Sequence, residues 1–321
     1  MRAIRIYQTG GPEALRYEEV ETPRPGPGEA LVKIEATGVN FIEIYQRSGL
    51  YPVPLPFIPG SEAAGAVVAV GPGVNTVKEG DRVAYGTGRG GYAEYAAVPA
   101  DVLIPVPDAL DAPHAAAALL QGMTAHYLTH DTYPIRRGDR VLVHAAAGGT
   151  GLLVAQMAKR RGAVVYGTVS TEEKAVLARE AGVDETILYT RADVAAEVAR
   201  LTGGEGVQAV YDSVGKDTFE VSLAALGRRG YLVLFGQSSG LVPAFEPARL
   251  SPRSAFLTRP SLQNYTATRE ELRERAGAVL AMIEAGELAL RIGGTYPLAD
   301  AARAQEDLAA RKTTGKLVLI P

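Results

Sequence analysis

Residues 140–151 read Arg-Val-Leu-Val-His-Ala-Ala-Ala-Gly-Gly-Thr-Gly, an apolar strand pattern followed by a run of small residues. This order predicts a strand over 140–144, a tight turn and then a helix, as in a dinucleotide-binding βαβ unit. Ala146 stands where the usual fingerprint has its first glycine, and Gly148 and Gly151 take the other two positions. A glycine at 148 lets the backbone approach a pyrophosphate, whose oxygens bind N–H groups at the helix N-terminus. The stretch therefore predicts a dinucleotide site.

Strands and helices alternate strictly from residue 138 to residue 235. The predicted strands are 140–144, 163–168, 185–189, 207–212 and 231–235, and the predicted helices are 152–161, 172–180, 192–201 and 218–226. Alternation at this spacing is typical of a parallel sheet with helices on both faces, and the near-continuous apolar strands fit burial on both sides. We therefore predict an α/β fold with a doubly wound, Rossmann-type parallel sheet.

The first part of the chain, up to residue 122, has short apolar runs separated by turns rich in Gly and Pro. This pattern predicts a mostly antiparallel β domain. A helix is predicted over 115–129, and helices over 269–285 and 299–310 precede a last strand over 316–320 that does not continue the alternation. We expect a nucleotide-binding domain over 123–259, inserted into a substrate domain made of 1–122 and 260–321.

The composition excludes several classes of protein. The 321 residues include no cysteine, so there is no disulfide, thiolate zinc site or cysteine nucleophile. The net charge of −3 gives no electrostatic basis for a nucleic-acid partner, and no apolar stretch approaches the ~20 residues of a membrane helix. The N-terminal residues alternate like a strand rather than a signal peptide, so we expect a soluble, cytoplasmic protein. The scarcity of Asn fits a thermophilic source, although GC-rich codon usage would also explain the excess of Arg over Lys.

The second predicted strand of the alternating region ends without the carboxylate that usually binds the ribose 2′-hydroxyl of NAD. Lys174 follows one turn into the next helix, and a cation with hydroxyl groups suits the 2′-phosphate of NADP. Ser170, Lys174 and Tyr189 are therefore candidate ligands, and NADP is favoured over NAD. Ser170 and Glu173 also fit a capping box, which is compatible with this interpretation, while Glu172 and Glu173 argue mildly for NAD.

Ten positions in and around the glycine-rich stretch match the pattern of quinone oxidoreductases: Gly138, Asp139, Leu142, Ala146, Ala147, Gly148, Gly149, Gly151, Gln156 and Lys159. Similar segments at 38–42, 47–51, 60–65, 211–215 and 235–240 extend the likeness over the whole chain. The sequence therefore resembles the zinc-free medium-chain dehydrogenases/reductases, and among them the ζ-crystallin-like quinone oxidoreductases. The resemblance implies a GroES-like β domain and transfer of hydride or electrons from NADPH to a quinone or another small electrophilic acceptor.

The resemblance also implies a site without zinc, because the zinc enzymes of this superfamily have a Cys near Asn40 and a His at the position of Ser61. Neither ligand is present. His126 and His130 have the spacing of one helix face and could bind zinc, but no further ligand lies near them in sequence. We therefore expect an ordinary helix-face pair and no metal. The remaining histidines are predicted to be structural: His114 and His144.

By resemblance, the cofactor contacts Asn40, Thr124, Ala147, Gly148, Gly149, Thr150, Ser170, Lys174, Tyr189, Ser213, Phe235, Gly236, Ser238 and Arg311. Without the resemblance, Arg311 would be a charge at a helix end, favourable there through the helix dipole. A hydrogen-bond donor near the quinone oxygen would assist its reduction. The resemblance implies that the segment around residues 40–51 faces the substrate, so the catalytic candidates are Asn40, Tyr45 and Tyr51. Tyr45 fits equally well as an amphipathic core tyrosine.

Two other functions remain open at this point. The same fold reduces activated C=C bonds of enals and enones or serves as an enoyl reductase, and the glycine-rich stretch does not separate these reactions. Outside enzymes, the resemblance includes nucleotide-binding crystallins and RNA-binding members, although this chain has no basic stripe with aromatic residues. The resemblance further implies a homodimer formed through edge strands of the nucleotide domain, with residues 254–258 as the candidate edge.

Overall fold

A computed structural model of the protein describes residues 1–321 and contains fifteen strands and eight α-helices. The strands are β1 (Arg2–Arg5), β2 (Arg16–Glu19), β3 (Glu29–Val39), β4 (Ala63–Val70), β5 (Arg82–Tyr85), β6 (Tyr95–Pro99), β7 (Ile104–Pro105), β8 (Arg140–Val143), β9 (Val164–Val169), β10 (Glu185–Leu188), β11 (Val207–Asp212), β12 (Leu226–Leu234), β13 (Phe256–Thr258), β14 (Ile292–Pro297) and β15 (Lys316–Ile320). The helices are α1 (Phe41–Arg47), α2 (Ala112–Tyr127), α3 (Gly149–Arg160), α4 (Glu172–Glu180), α5 (Val194–Thr202), α6 (Phe219–Ala225), α7 (Arg269–Glu284) and α8 (Ala301–Ala309). A π-helical turn at Leu128–Thr132 continues α2.

The chain forms two compact units, one made of 1–123 and 266–321 and the other of 124–265. We call them the antiparallel unit and the parallel unit. No helix in either is both long and apolar enough to cross a membrane.

The parallel unit contains a six-stranded, wholly parallel sheet in the order β10-β9-β8-β11-β12-β13. Leu142, Val210 and Leu232 lie in three of its strands and are fully buried in one apolar core. The strand order reverses between β8 and β11, and ligands of such sheets bind at the carboxyl ends of the strands at this point. The predicted Rossmann-type sheet is confirmed.

The antiparallel unit contains a seven-stranded sheet in the order β14-β15-β3-β4-β5-β7, with β6 also paired to β3, and a separate β1–β2 pair. All neighbours run antiparallel except β14 and β15. The last strand pairs with β3 through Leu317 opposite Val39 and Leu319 opposite Thr37. The C-terminal strand therefore lies inside this sheet, next to residues from the beginning of the chain. The prediction of a mostly antiparallel β domain is also confirmed.

Several predicted element ends shift by one to three residues, and three further local differences have a physical reason. The N-cap of α4 is Thr171 and not Ser170, because β9 continues to Val169 and Ser170 only connects the two elements. Strand β12 begins at Leu226, five residues earlier than predicted, since Arg229 has a φ of +57° and interrupts the apolar pattern. Strand β14 was not predicted, because two glycines and alternating half-exposed positions hide its strand character.

Candidate active site

The glycine-rich loop follows β8 and turns sharply into α3. Ala145 has a φ of +51°, and its carbonyl accepts the N–H of Gly148 at 2.9 Å. A Cβ on Gly151 would lie 2.3 Å from the same carbonyl oxygen, so the close approach of helix and loop requires a glycine there. The methyl group of Ala146 is accommodated because the facing position on β9 is Gly167, where a Cβ would lie only 2.8 Å away. The alanine in the first fingerprint position is therefore matched by a glycine on the neighbouring strand, Gly167.

The N-terminus of α3 has the properties of an anion site. Its N-cap is Gly148, which has no side chain, and its first turn contains no acidic residue. By contrast, Thr171 and Asp193 cap the neighbouring helices α4 and α5 through their side chains. The first N–H groups of a helix have no partner within the helix, and together with the helix dipole they attract negative charge. The loop and this helix end therefore fit a pyrophosphate group.

The segments after β9 and β10 lie side by side. Tyr189 donates its backbone N–H to the carbonyl of Val169 at 3.2 Å, and the hydroxyl of Thr190 donates to the carbonyl of Ser170 at 3.2 Å. Ser170 thus lies close to Tyr189, with Lys174 in the first turn of α4. Sequence reasoning missed one further cation at this place, Arg191, which the spacing from the glycine-rich stretch did not single out.

The two glutamates that argued for NAD have other partners in this region. Glu172 faces Arg191 at 3.8 Å. Hydrogen bonds from its own backbone N–H and from the hydroxyl of Thr171 lower the pKa of Glu173. Neither carboxylate occupies the end of β9, where a ribose-binding acid would stand.

The segments after β11 and β12 are also joined. Phe235 donates its N–H to the carbonyl of Asp212 at 2.9 Å, and Ser238 donates to the carbonyl of Ser213 at 3.1 Å. A Cβ on Gly236 would lie 2.4 Å from the oxygen of Ser213, which explains the glycine. The predicted cofactor residues of the loops thus follow the carboxyl ends of β8 to β12 in one sheet. Thr124 also lies in the parallel unit, whereas Asn40 and Arg311 belong to the antiparallel unit.

Asn40 belongs to a buried polar cluster in the antiparallel unit. Its Nδ2 donates to Oε1 of Glu62 at 2.8 Å, and its Oδ1 accepts from Nζ of Lys316 at 2.6 Å. Lys316 also bonds directly to Glu62, whose other oxygen accepts the N–H of Leu120 at 3.0 Å. The side chains of Glu62 and Lys316 are 0% and 3% exposed. An anion on one side and a cation on the other fix the amide orientation of Asn40, since a flipped amide would place NH₂ against the ammonium.

Sequence reasoning missed Glu62 and Lys316. The available signal was a charged residue at the start of each of two apolar strands, with Glu62 directly before β4 and Lys316 as the first residue of β15. Charged side chains are rarely buried without a partner, and each could have been taken for a solvated strand end. Their pairing depends on the contact of β15 with β3, which the local sequence does not reveal.

Glu43 is the third ionisable residue at this place. Its Oε2 accepts the N–H of Asn40 at 2.8 Å, which caps α1, and its Oε1 accepts the N–H of Ser61 at 2.9 Å. The carboxyl group is fully buried. Burial raises the pKa of Glu43 to about 7, although the hydrogen bond from Ser61 and the charge of Lys316 oppose the shift. Glu43 therefore titrates near neutral pH.

The two candidate tyrosines contact each other. Their rings lie 5.1 Å apart in an edge-to-face arrangement, and the N–H of Tyr51 donates to the carbonyl of Tyr45 at 3.0 Å. Tyr45 is 9% exposed and Tyr51 is 36% exposed. The structure thus brings the two tyrosines together, and Asn40 is the N-cap of α1, the helix that carries Tyr45.

His126 and His130 stack face to face with ring centres 4.1 Å apart. No group of three or more His, Cys, Asp or Glu side chains in the structure is arranged to hold a metal ion. The stacked pair has no third ligand with which to form a zinc site.

Comparison with known proteins agrees with this architecture. Residues 149–284 match the family Zinc-binding dehydrogenase, and residues 26–108 match the family Alcohol dehydrogenase GroES-like domain, as expected for the β domain. The quinone oxidoreductase of Pseudomonas aeruginosa is 47% identical over 100% of this chain and 99% of its own length. A 2-haloacrylate reductase of a Burkholderia species is 42% identical over 99% of this chain and 98% of its own.

A solved structure extends the similarity to three dimensions. The crystal structure of Escherichia coli quinone oxidoreductase, complexed with NADPH, superposes with a TM-score of 0.97 at 44% identity and covers 100% of both chains. The superposition covers the full length of both chains, so the similarity includes both units. The chain belongs to the quinone oxidoreductase family of the zinc-free medium-chain dehydrogenases/reductases.

Proposed function

We propose that the protein is an NADPH-dependent quinone reductase that works without zinc. The observation that carries the cofactor assignment is the uncapped N-terminus of α3 behind the glycine-rich loop. The quinone is supported by the full-length similarity to quinone oxidoreductases, one of which has been solved with NADPH. When bound, the nicotinamide supplies the reducing electrons, and the protein binds, orients and shields the reactants.

The parallel unit is proposed to bind the dinucleotide, and the domain limits predicted from the sequence, 123–259, lie within six residues of its ends at 124 and 265. Ala147, Gly148, Gly149 and Thr150 would lie against the pyrophosphate. Ser170, Lys174 and Tyr189 would hold the 2′-phosphate, because a cation with hydroxyl donors suits that group. The further contacts are proposed to come from Asn40, Thr124, Ser213, Phe235, Gly236, Ser238 and Arg311.

Reduction of a quinone places negative charge on its oxygen, and a hydrogen-bond donor stabilises that charge. Glu62 accepts one of the two Nδ2 hydrogens of Asn40. We propose that the second hydrogen, or the hydroxyl of Tyr45 or Tyr51, donates to the acceptor. Of the two tyrosines, the more exposed Tyr51 is favoured by its accessibility.

A second candidate activity is reduction of an activated carbon–carbon double bond. It is favoured by the similarity to a 2-haloacrylate reductase, whose named substrate carries a double bond conjugated to a carboxylate. The cofactor site would serve both reactions, since function is determined by the acceptor side and not by the fold.

The deciding experiment measures NADPH oxidation by the purified protein in the presence of a chelator. One reaction contains an ortho-quinone and another contains a conjugated enal, with NADH as the alternative reductant. We expect rapid turnover of the quinone, with NADPH preferred. Turnover of the enal alone would replace the quinone assignment by the second activity, and a preference for NADH would refute the cofactor assignment.

We also propose a homodimer and a cytoplasmic location, the compartment of the NADPH pool. Strand β13 is the outer strand of the parallel sheet, and Phe256 on it is 47% exposed and stacks on Tyr231 at 4.5 Å. An exposed apolar edge strand is a template for pairing with a second chain. Light scattering should give twice the chain mass, and Phe256→Lys should shift the protein towards the monomer.

A further inference from the structure

A buried chain of hydrogen bonds lies beside the glycine-rich loop, in the parallel unit. It joins four side chains from four elements: Thr168 on β9, His144 after β8, Ser222 on α6 and Asp212 on β11. The distances are 3.0 Å from Thr168 Oγ1 to His144 Nδ1, 3.0 Å from His144 Nε2 to Ser222 Oγ, and 2.7 Å from Ser222 Oγ to Asp212 Oδ2. All four residues are at most 2% exposed. None of them is among the proposed cofactor contacts.

The direction of the chain follows from its acidic end. Oδ1 of Asp212 accepts the N–H groups of Val214 and Gly215 at 2.8 and 3.0 Å, and the hydroxyl of Thr218 donates to the same carboxylate at 2.8 Å. A carboxylate accepts hydrogen bonds and donates none. The single hydroxyl hydrogen of Ser222 therefore points to Asp212, and the oxygen of Ser222 is left to accept.

The remaining hydrogens are then fixed in turn. Ser222 Oγ accepts from Nε2–H of His144, so the neutral ring has its lone pair at Nδ1. Thr168 consequently donates its hydroxyl hydrogen to Nδ1. The oxygen of Thr168 accepts the N–H of Ala145 at 3.3 Å, which lies in the glycine-rich loop. The chain runs without a break from a loop amide to a buried carboxylate.

Burial of the ring agrees with its neutral state. Burial lowers the pKa of His144, and the negative charge of Asp212 opposes this shift. Since a protonated ring would carry hydrogens on both nitrogens, Thr168 would lose its acceptor.

Each end of this chain of hydrogen bonds holds a loop that carries proposed cofactor residues. At one end, Thr168 binds the N–H of Ala145, whose φ of +51° is unfavourable for a residue with a side chain. The backbone carbonyl of Thr168 also accepts the N–H of Ala146 at 3.1 Å. At the other end, the carbonyl of Asp212 accepts the N–H groups of Phe235 and Gly236 at 2.9 and 3.3 Å.

We propose that Thr168, His144, Ser222 and Asp212 are positioning residues that hold the glycine-rich loop in its nucleotide-binding conformation, with His144 as the neutral Nε2–H tautomer. The inference rests on the proposed NADPH-dependent function. It adds a set of residues that act through the loop and not through contact with the cofactor.

The first test compares two substitutions of one residue. Thr168→Val keeps the shape but removes the hydroxyl, and Thr168→Ser restores it. Thr202→Val is the matched control, because Thr202 is also a buried threonine of the parallel unit, donating to a carbonyl at 2.7 Å and accepting the N–H of Gly206 at 3.0 Å, but lies at the end of α5. We expect Thr168→Val to raise the Kd of NADPH about tenfold, and Thr168→Ser and Thr202→Val to stay within about twofold of the wild type.

Equal NADPH affinity of the two valine variants would overturn the proposal. If Thr168→Val does not fold, Ser222→Ala breaks the same chain from α6 and is judged by the same criterion. The melting temperature of each variant is recorded so that a general loss of stability, expected for both valine variants, is separated from a loss of binding.

The second test needs no cofactor. The ¹⁵N NMR spectrum of protein labelled at histidine should show one ring that carries a hydrogen on Nε2 and none on Nδ1. This signal should not change between about pH 5 and 8 and should be absent from His144→Gln. If this ring titrates in that pH range, or carries its hydrogen on Nδ1, the hydrogen-bond directions given above are wrong and the proposal is overturned. A wild type that binds no nicotinamide nucleotide would instead refute the proposed function, while these spectra still decide the state of His144.

Discussion

Glu62 and Lys316 form a buried ion pair although 254 residues separate them in the chain. Removing one partner of such a pair leaves an uncompensated charge in the interior. We therefore expect Lys316→Met to lower the free energy of unfolding by about 3–5 kcal/mol, as measured by urea denaturation. The amide of Asn40 loses its cationic partner at the same time, so quinone reduction should also fall.

The double variant Glu62→Gln/Lys316→Met removes the unpaired charge and serves as the control. It should recover a large part of the stability lost in Lys316→Met, because replacing a whole buried pair costs far less than breaking it. If the double variant is less stable than the single one, burial of an unpaired carboxylate is not the cause of the loss.

Glu43 should make the stability of the protein depend on pH near neutrality. Its pKa is about 7 in the folded protein against 4.5 ordinarily, so the folded state holds this proton more tightly than the unfolded state. The part of the free energy of unfolding that depends on Glu43 is therefore largest below about pH 4.5. It decreases as the pH rises from about 4.5 to about 7 and stays constant above that. The full change amounts to about 3 kcal/mol.

The measurement compares wild type with Glu43→Gln in urea at a series of pH values. The variant loses part of the α1 cap at every pH, which is a constant offset. The stability of the variant relative to wild type should rise between about pH 4.5 and 7 and then level off. A difference that does not change with pH would show that Glu43 does not titrate in this range.

Two glycines of the loop should respond differently to alanine. At Gly151 the new Cβ would meet the backbone oxygen of Ala145 at 2.3 Å, so the loop must move. Gly151→Ala should destabilise the protein by about 1–3 kcal/mol and abolish NADPH binding. At Gly148 the corresponding distance is 3.2 Å and the φ of −77° suits any residue.

Gly148→Ala should therefore change the stability by less than about 1 kcal/mol. The methyl group would nevertheless stand where the backbone approaches the pyrophosphate, so the Kd of NADPH should rise at least about tenfold. Thermal unfolding and fluorescence titration of both variants check these expectations. Undiminished NADPH binding by Gly148→Ala would place the pyrophosphate elsewhere.

Lys174 should discriminate between the two nicotinamide cofactors. If it binds the 2′-phosphate, Lys174→Ala loses about 1.5–3 kcal/mol of NADPH binding, the range for a charge-assisted hydrogen bond. NADH lacks this phosphate, so its binding should hardly change. Lys33→Ala, an exposed lysine on β3 of the antiparallel unit, is the matched control. Equal losses with both cofactors would rule out the assignment.

The sequence predicted those parts of the molecule whose signals are local. The strand, the small residues and the helix around Gly148 are contiguous, so their order alone indicates a nucleotide loop. The cap of α4 was misplaced by one position because both Ser170 and Thr171 are capping residues, and only the end of β9 decides between them. The cluster of Asn40, Glu62 and Lys316 was out of reach, since it depends on a strand pairing between distant segments.

The same pairing determines the order in which the chain can fold during synthesis. Residues 124–265 contain every strand of the parallel sheet, so that unit can form while later segments are still being translated. The antiparallel sheet cannot be completed until the end of the chain has been made, because β15 lies between β14 and β3. Until Lys316 has left the ribosome, Glu62 has no cation to neutralise it. The parallel unit can therefore be complete before the antiparallel unit.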